Sequence, residues 1–136
     1  EKVDLSMLGL RDTEEVSLFA PMLARDVSAP GRYCRSLFLG HNRITHKGAE
    51  MLVEALVDNS TLTELFLQYN RLEDDGAKHI GFLLEKNKRL VRLDVGANGI
   101  GKRGVDLIVD GLQDNGTIES IGLFGNAPET ASALQD

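Results

Sequence analysis

The sequence predicts a repeat protein of the α/β class, each unit one short strand followed by one helix, and three observations carry that reading. Asn42, Asn70, Asn98 and Asn126 follow one another at intervals of 28 residues. Ahead of each asparagine apolar residues alternate, as Leu37 and Leu39, Leu65 and Leu67, Leu93 and Val95, and Ile121 and Leu123. A period of two puts one face of a short strand into a core. Behind the first three asparagines stand Gly48-Ala49, Leu52 and Leu56, then Gly76-Ala77, Ile80 and Leu84, then Gly104-Val105, Ile108 and Leu112. Steps of three and four place these residues on one stripe of a helix.

Taken in chain order, strands are expected near residues 5–10, 34–39, 62–67, 90–95 and 118–123. In the first unit Leu5, Leu8 and Leu10 fit the strand frame at an offset of 29, with Thr13 at the asparagine position and Ala20, Leu23 and Val27 as the helix stripe. Asn59, Asn87 and Asn115 recur at the helix ends, where a residue tolerant of left-handed backbone is favoured. After Asn126 come Ala127 and Pro128, a further helix is expected to begin over Glu129 to Ala133, and the sequence stops at Asp136. The expectation is a single domain over 1–136 of about four and a half repeats, truncated at both ends.

The frame Cys34..Leu37.Leu39..Asn42.Ile44 and its successors, with GHNRITHKGAEMLVEAL and QYNRLEDDGAKHIGFLL in the central units, resembles the leucine-rich repeat, in its longer ribonuclease-inhibitor-like class. The resemblance implies a right-handed leucine-rich-repeat solenoid with a parallel sheet on the concave side and helices on the convex side. It also implies that each repeat asparagine points inward and satisfies backbone groups in the turn. Thr13 and Pro128 depart from the pattern.

Composition narrows the function. A chain of 136 residues, 42% hydrophobic, supports one packed domain. The net charge of −6 is spread over interspersed residues, and no basic stripe is present to neutralise a nucleic-acid backbone. No apolar run approaches the ~20 residues of a bilayer helix, and the first residues lack a secretory signal. The single cysteine, Cys34, suits a reducing compartment, so a cytoplasmic location is expected, with neither nucleic acid nor membrane as partner.

The stretch DVGANGIGKRG, Asp94 to Gly104, comes close to the phosphate-loop template through Gly96, Gly101 and Lys102, but Arg103 stands where the magnesium-binding hydroxyl belongs. Asn98 and Gly104 recur as repeat positions, which explains them without a nucleotide. Two sequons, at Asn59 and Asn115, share their position with Asn87, which has none, so the repeat explains these too. Cys34 occupies a core leucine position. His41, His46 and His79 fall on three different parts of the unit, without metal-ligand spacing. No catalytic, cofactor or metal residues are assigned, and the protein is read as a non-enzyme.

What is left is the outward face of the strands. Between the core positions lie Gly9, Phe38, Phe66, Asp94 and Gly122, then Arg11, Gly40, Gln68, Gly96 and Phe124, then Asp12, His41, Tyr69, Ala97 and Gly125. Phe38 and Phe66 are expected as neighbours on adjacent strands, either as interface anchors or as a pair that stabilises the sheet. Glu64, Arg92 and Asp94 should pair with one another beside them. The expected function is binding of a protein partner through the concave face by Phe38, Phe66, Tyr69, His41, Glu64, Arg92 and Asp94, with end-to-end self-association at the open ends. Two alternatives remain at this point: a small-GTPase regulator similar to the Ran GTPase-activating proteins, using Arg43, Arg71 or Asn70, and a structural spacer in a longer solenoid.

Overall fold

The computed structural model describes residues 2–24 and 34–126. Five strands, β1 (Lys2–Asp4), β2 (Ser36–Phe38), β3 (Glu64–Phe66), β4 (Arg92–Asp94) and β5 (Ser120–Gly122), pair in chain order as one parallel sheet among these residues. Between them run α1 (Ser17–Ala24), α2 (His46–Leu56), α3 (Glu73–Lys86) and α4 (Lys102–Leu112). Consecutive parallel strands joined by helices form an α/β solenoid, in which each unit packs on its neighbours. Leu37, Leu65 and Leu93 stand side by side in the sheet, and with Leu39, Leu67 and Val95 they are closed from solvent. Against them lie the buried faces of the helices, Ala49, Leu52 and Leu56 on α2, Ala77, Ile80 and Leu84 on α3, and Val105 and Ile108 on α4.

Two ladders of asparagine amides hold successive units together. In the first, Asn70 donates to the carbonyls of Leu39 and Leu67 at 2.9 Å each and accepts from the Ile44 N–H at 3.0 Å. Asn42, Asn98 and Asn126 make the equivalent bonds to the unit before them. In the second, Asn87 donates to Leu56 O at 2.7 Å and accepts from the N–H groups of Arg89 and Leu90 at 2.8 Å.

The backbone of Asn87 is extended, with φ −74° and ψ 134°, and neither Asn59 nor Asn115 has a positive φ. Left-handed geometry is therefore not the reason for asparagine at this position; the reach of its amide into the preceding helix end is. The sequons gain a physical explanation as well. The Asn59 amide nitrogen, which a glycan would occupy, is buried and donates to Leu23 O at 2.7 Å, and that of Asn115 donates to Leu84 O at 2.8 Å.

The first unit differs from expectation. β1 is Lys2–Asp4, not a segment near 5–10, and Val3 pairs with Leu37, an offset of 34. Leu8, not Thr13, takes the asparagine position, and the N–H groups of Leu8 and Leu10 both donate to Asn42 Oδ1 at 3.0 Å. The register is imposed by Asn42 from the next unit, so nothing within residues 2–12 could reveal it. At the helix end the offset falls to 33, since Leu23 and Leu56 accept the equivalent amides of Asn59 and Asn87. A π-helical turn, Asp12–Val16, enters α1 and absorbs that one extra residue. The expected stripe residue Val27 lies outside the described residues, as do Ala127 to Asp136.

Candidate partner-binding face

On the face of the sheet turned away from the helices, two rows of side chains cross the strands. The first is Asp4, Phe38, Phe66, Asp94 and Gly122, in register from β1 to β5. The Phe38 and Phe66 rings stack with centroids 4.7 Å apart and planes 13° from parallel. In the second row Met7, His41, Tyr69, Ala97 and Gly125 all have positive φ, between 51° and 83°. Each ends its strand in a left-handed turn, a geometry that costs a side chain about 1 to 2 kcal/mol. His41 and Tyr69 bear it and hold their rings stacked at 4.3 Å. Tyr69 is 53% exposed.

Gly9, Arg11 and Asp12 do not join these rows, because the offset of 34 puts Asp4, Ser6 and Met7 there instead. Asp12 is buried and accepts from the N–H of Thr45 at 2.9 Å and from its hydroxyl. It thus holds, from the preceding unit, the Thr45 whose own hydroxyl accepts from the Lys47 N–H and caps α2.

Of the expected charged group, Arg92 reaches Glu64 at 3.4 Å, and the Ser36 hydroxyl also donates to Glu64. Asp94 stands apart from Arg92. Its Oδ1 accepts from the Gly96 N–H at 2.8 Å, and the carboxyl leans over Gly122, where an added Cβ would come within 2.7 Å of it. The ion pair is exposed on its arginine side and contributes little to stability. At the other end of the phenylalanine row, Asp4 is fully exposed, and the Ser6 hydroxyl and backbone N–H hold its carboxyl below its ordinary value.

Sequence reasoning placed Gln68 on the outward face but gave it no role. Its side chain lies across Gly40 of the neighbouring repeat, and its Oε1 is closed from solvent without a hydrogen-bond partner. An orphaned acceptor shows only in three dimensions, since glutamine in a strand is unremarked in sequence.

The residues suspected of phosphate binding have other engagements. Asp74, from the unit before, accepts from the N–H groups of Gly101 at 2.7 Å and Gly104 at 3.2 Å at the start of α4. An added Cβ on Gly104 would lie 2.5 Å from that same oxygen. The hollow beside the loop is lined by Glu73, Asp74 and Asp75, with Arg103 paired to the two aspartates at 3.7 and 3.4 Å. A carboxylate already occupies the place where a helix N-terminus would receive phosphate.

Arg43 and Arg71 are exposed at the strand-exit edge, whereas Asn70 is buried with its amide committed to the ladder and is unavailable to a GTPase partner. Cys34 is half-buried, and burial pushes its thiol above the ordinary value. Among the described residues no group of three His, Cys, Asp or Glu side chains is placed to hold a metal ion, and no helix is long and apolar enough to cross a membrane.

Short parallel strands alternating with helices, stitched by Asn42, Asn70, Asn98 and Asn126 in successive units, define a leucine-rich-repeat protein, and the chain belongs to that class. The sequence model of the leucine-rich repeat matches residues 58–81. A protein phosphatase 1 regulatory subunit 37 homolog of Caenorhabditis elegans is 34% identical over 122 residues, which are 89% of this chain and 13% of that protein. The chain therefore spans about an eighth of the length of that relative. The structure of leiomodin-1 actin-binding site 2 covers 98% of this chain, and the match takes in 76% of that one, with a TM-score of 0.83 at 20% identity, a likeness of fold.

Proposed function

We propose that the protein is a protein-binding module without chemistry of its own, and that it binds through the open face of its sheet. The observation that carries this is the pair of aromatic stacks on the open face, the half-buried Phe38 on Phe66 and the exposed His41 on Tyr69, contributed by adjacent repeats. These side chains serve neither the core nor the asparagine ladders. Rigid aromatic rings clustered at the centre of a surface are what interfaces use as anchors. The names of the similar proteins are consistent with a binding role, one being a regulatory subunit and the other an actin-binding segment. Glu64, Arg92 and Asp94 would form the polar rim, which acts more on orientation and association rate than on affinity.

Capture of a partner from extract of the native cell tests the reading. Phe38→Ala and Phe66→Ala should keep the fold and lose the partner, since truncating an anchor costs ~2 kcal/mol or more. Full capture by both variants, with loss on changing the exposed helix residues Glu54, Lys78 or Asp106, would assign binding to the helical side instead.

A further inference from the structure

The rim where the strands turn into the helices carries a row of arginines. Arg43 and Arg71 hold the same place in successive units, 28 residues apart, each two residues beyond a ring of the His41–Tyr69 stack. Backbone hydrogen bonds set the row side by side. The Arg71 N–H donates at 2.8 Å to the carbonyl of Ile44, the neighbour of Arg43, and the Arg43 N–H donates at 2.9 Å to that of Leu10, the neighbour of Arg11. Asn42 and Asn70 commit their amides to the ladder, and the arginine that follows each of them is exposed.

These two guanidiniums are unmatched where others are matched. Arg11 is paired with Glu14, Arg92 with Glu64, and Arg103 with Asp74 and Asp75. Arg43 and Arg71 meet no carboxylate among the described residues. Glu73, two residues past Arg71, turns to the next unit instead, where an added Cβ on Gly99 would lie 3.5 Å from its Cγ. Like charges side by side repel, and the chain has 21 Asp and Glu against 15 Lys and Arg from which a partner could have been drawn. The pair is left open to an anion from outside. The carboxylates of the open face itself stand away from the rim, Asp4 and Asp94 in the phenylalanine row and Glu64 beside Arg92.

We propose that Arg43 and Arg71 receive two carboxylates from an acidic segment of the protein partner, which lies across the His41–Tyr69 stack with its acidic end at the rim. The proposal rests on the open-face reading and names the chemistry of its partner. A guanidinium fork holds a carboxylate through two parallel N–H···O bonds, and two forks one strand spacing apart, ~4.8 Å, take an acidic pair on one segment. The net charge of −6 repels such a segment elsewhere on the molecule, so the attraction is local to the rim and sets the orientation of the partner.

The test is a titration of the full chain with the blocked tripeptide acetyl-Phe-Glu-Glu-amide, beside its neutral counterpart acetyl-Phe-Gln-Gln-amide, followed by NMR of the arginine side-chain N–H groups. Saturating shifts are expected at Arg43 and Arg71 with the glutamate peptide, fading as sodium chloride is raised, and none with the glutamine peptide. Both side chains are exposed and neither supports a neighbour, so the double variant Arg43→Gln/Arg71→Gln should keep the melting temperature of the parent and weaken binding of the glutamate peptide roughly fivefold or more. Arg89→Gln, at an exposed position beyond the far end of α3, should leave that binding unchanged. Equal shifts from the glutamine peptide, unchanged affinity in the double variant, equal weakening by Arg89→Gln, or no shift at the two arginines would overturn the proposal. Partner capture separates the two claims. A partner lost on Phe66→Ala but fully retained by Arg43→Gln/Arg71→Gln refutes the arginine rim and leaves the open-face reading intact.

Discussion

Asn70 shows how much one amide does in this chain. Its Nδ2 serves two carbonyls and its Oδ1 one N–H, all in backbone that a turn would otherwise leave unmatched. Removing that amide strands buried groups at ~1 to 3 kcal/mol each. Asn70→Ala should therefore destabilise the protein more than Asn126→Ala, whose site is half-buried, and denaturant titration of the two variants measures the difference. Equal losses would show that the ladder is not what fixes the turns. Cys34 makes a second test. Thiolate is the reactive form, and burial raises this thiol above its ordinary value, so less thiolate is present at neutral pH. Iodoacetamide should modify native Cys34 more slowly than the unfolded chain at pH 7.5, with the native rate rising as pH climbs past the ordinary thiol value. The asparagines and the pairing of Phe38 with Phe66 were legible in sequence because each repeats in register. The role of Gln68, the lean of Asp94 and the left-handed turns at His41 and Tyr69 were not, because they depend on glycines one strand away and on backbone angles.

The helices carry two features that tie one unit to the next. α4 begins at Gly101 without a side-chain cap of its own, and Asp74 of the preceding unit supplies the acceptor. Asp74→Ala should cost about 0.5 to 2 kcal/mol, the ordinary range for a lost cap, while Lys102→Ala should cost much less. The same occupancy predicts that ATP or GTP with magnesium leaves the melting temperature of the parent protein unchanged. A rise that grows with nucleotide concentration and disappears in Lys102→Ala would show that the loop binds phosphate after all. α3 and α4 touch backbone to backbone where Gly111 meets the carbonyl of Gly81, and an added Cβ on Gly81 would lie 2.5 Å from Leu107 O. Gly111→Ala should destabilise by about 1 to 3 kcal/mol despite the better helix propensity of alanine, because there is no flexible side chain to give way. The later helices were legible from their apolar stripes. The first unit was not, since the apolar residues Val3, Leu5, Leu8 and Leu10 satisfy two registers equally well, and the choice between them is made by Asn42 and by the π-helical turn before α1.

Across the whole solenoid, stability accumulates between neighbours, and an unmatched end is where it is least. Among the described residues β1 pairs only with β2 and β5 only with β4, so each presents a row of backbone groups on one side. Apolar side chains accompany them, with Val3, Met7 and Leu8 exposed at the β1 side and Phe124 91% exposed beside β5. Parallel strands in a constant register make the β5 edge a template for the β1 edge of another copy, and such a head-to-tail contact does not close on itself. The 136-residue polypeptide should therefore associate end to end, with a sedimentation coefficient that rises with protein concentration. Phe124→Ser, which removes apolar surface at the edge without touching a core residue, should lower that association while leaving the melting temperature of the dilute protein unchanged. Phe38→Ala, on the open face away from both edges, should leave it as it is. A single species at all concentrations would mean that residues outside the described segments cover the edges. Association abolished by Phe38→Ala and kept by Phe124→Ser would instead place the contact between copies on the aromatic rows.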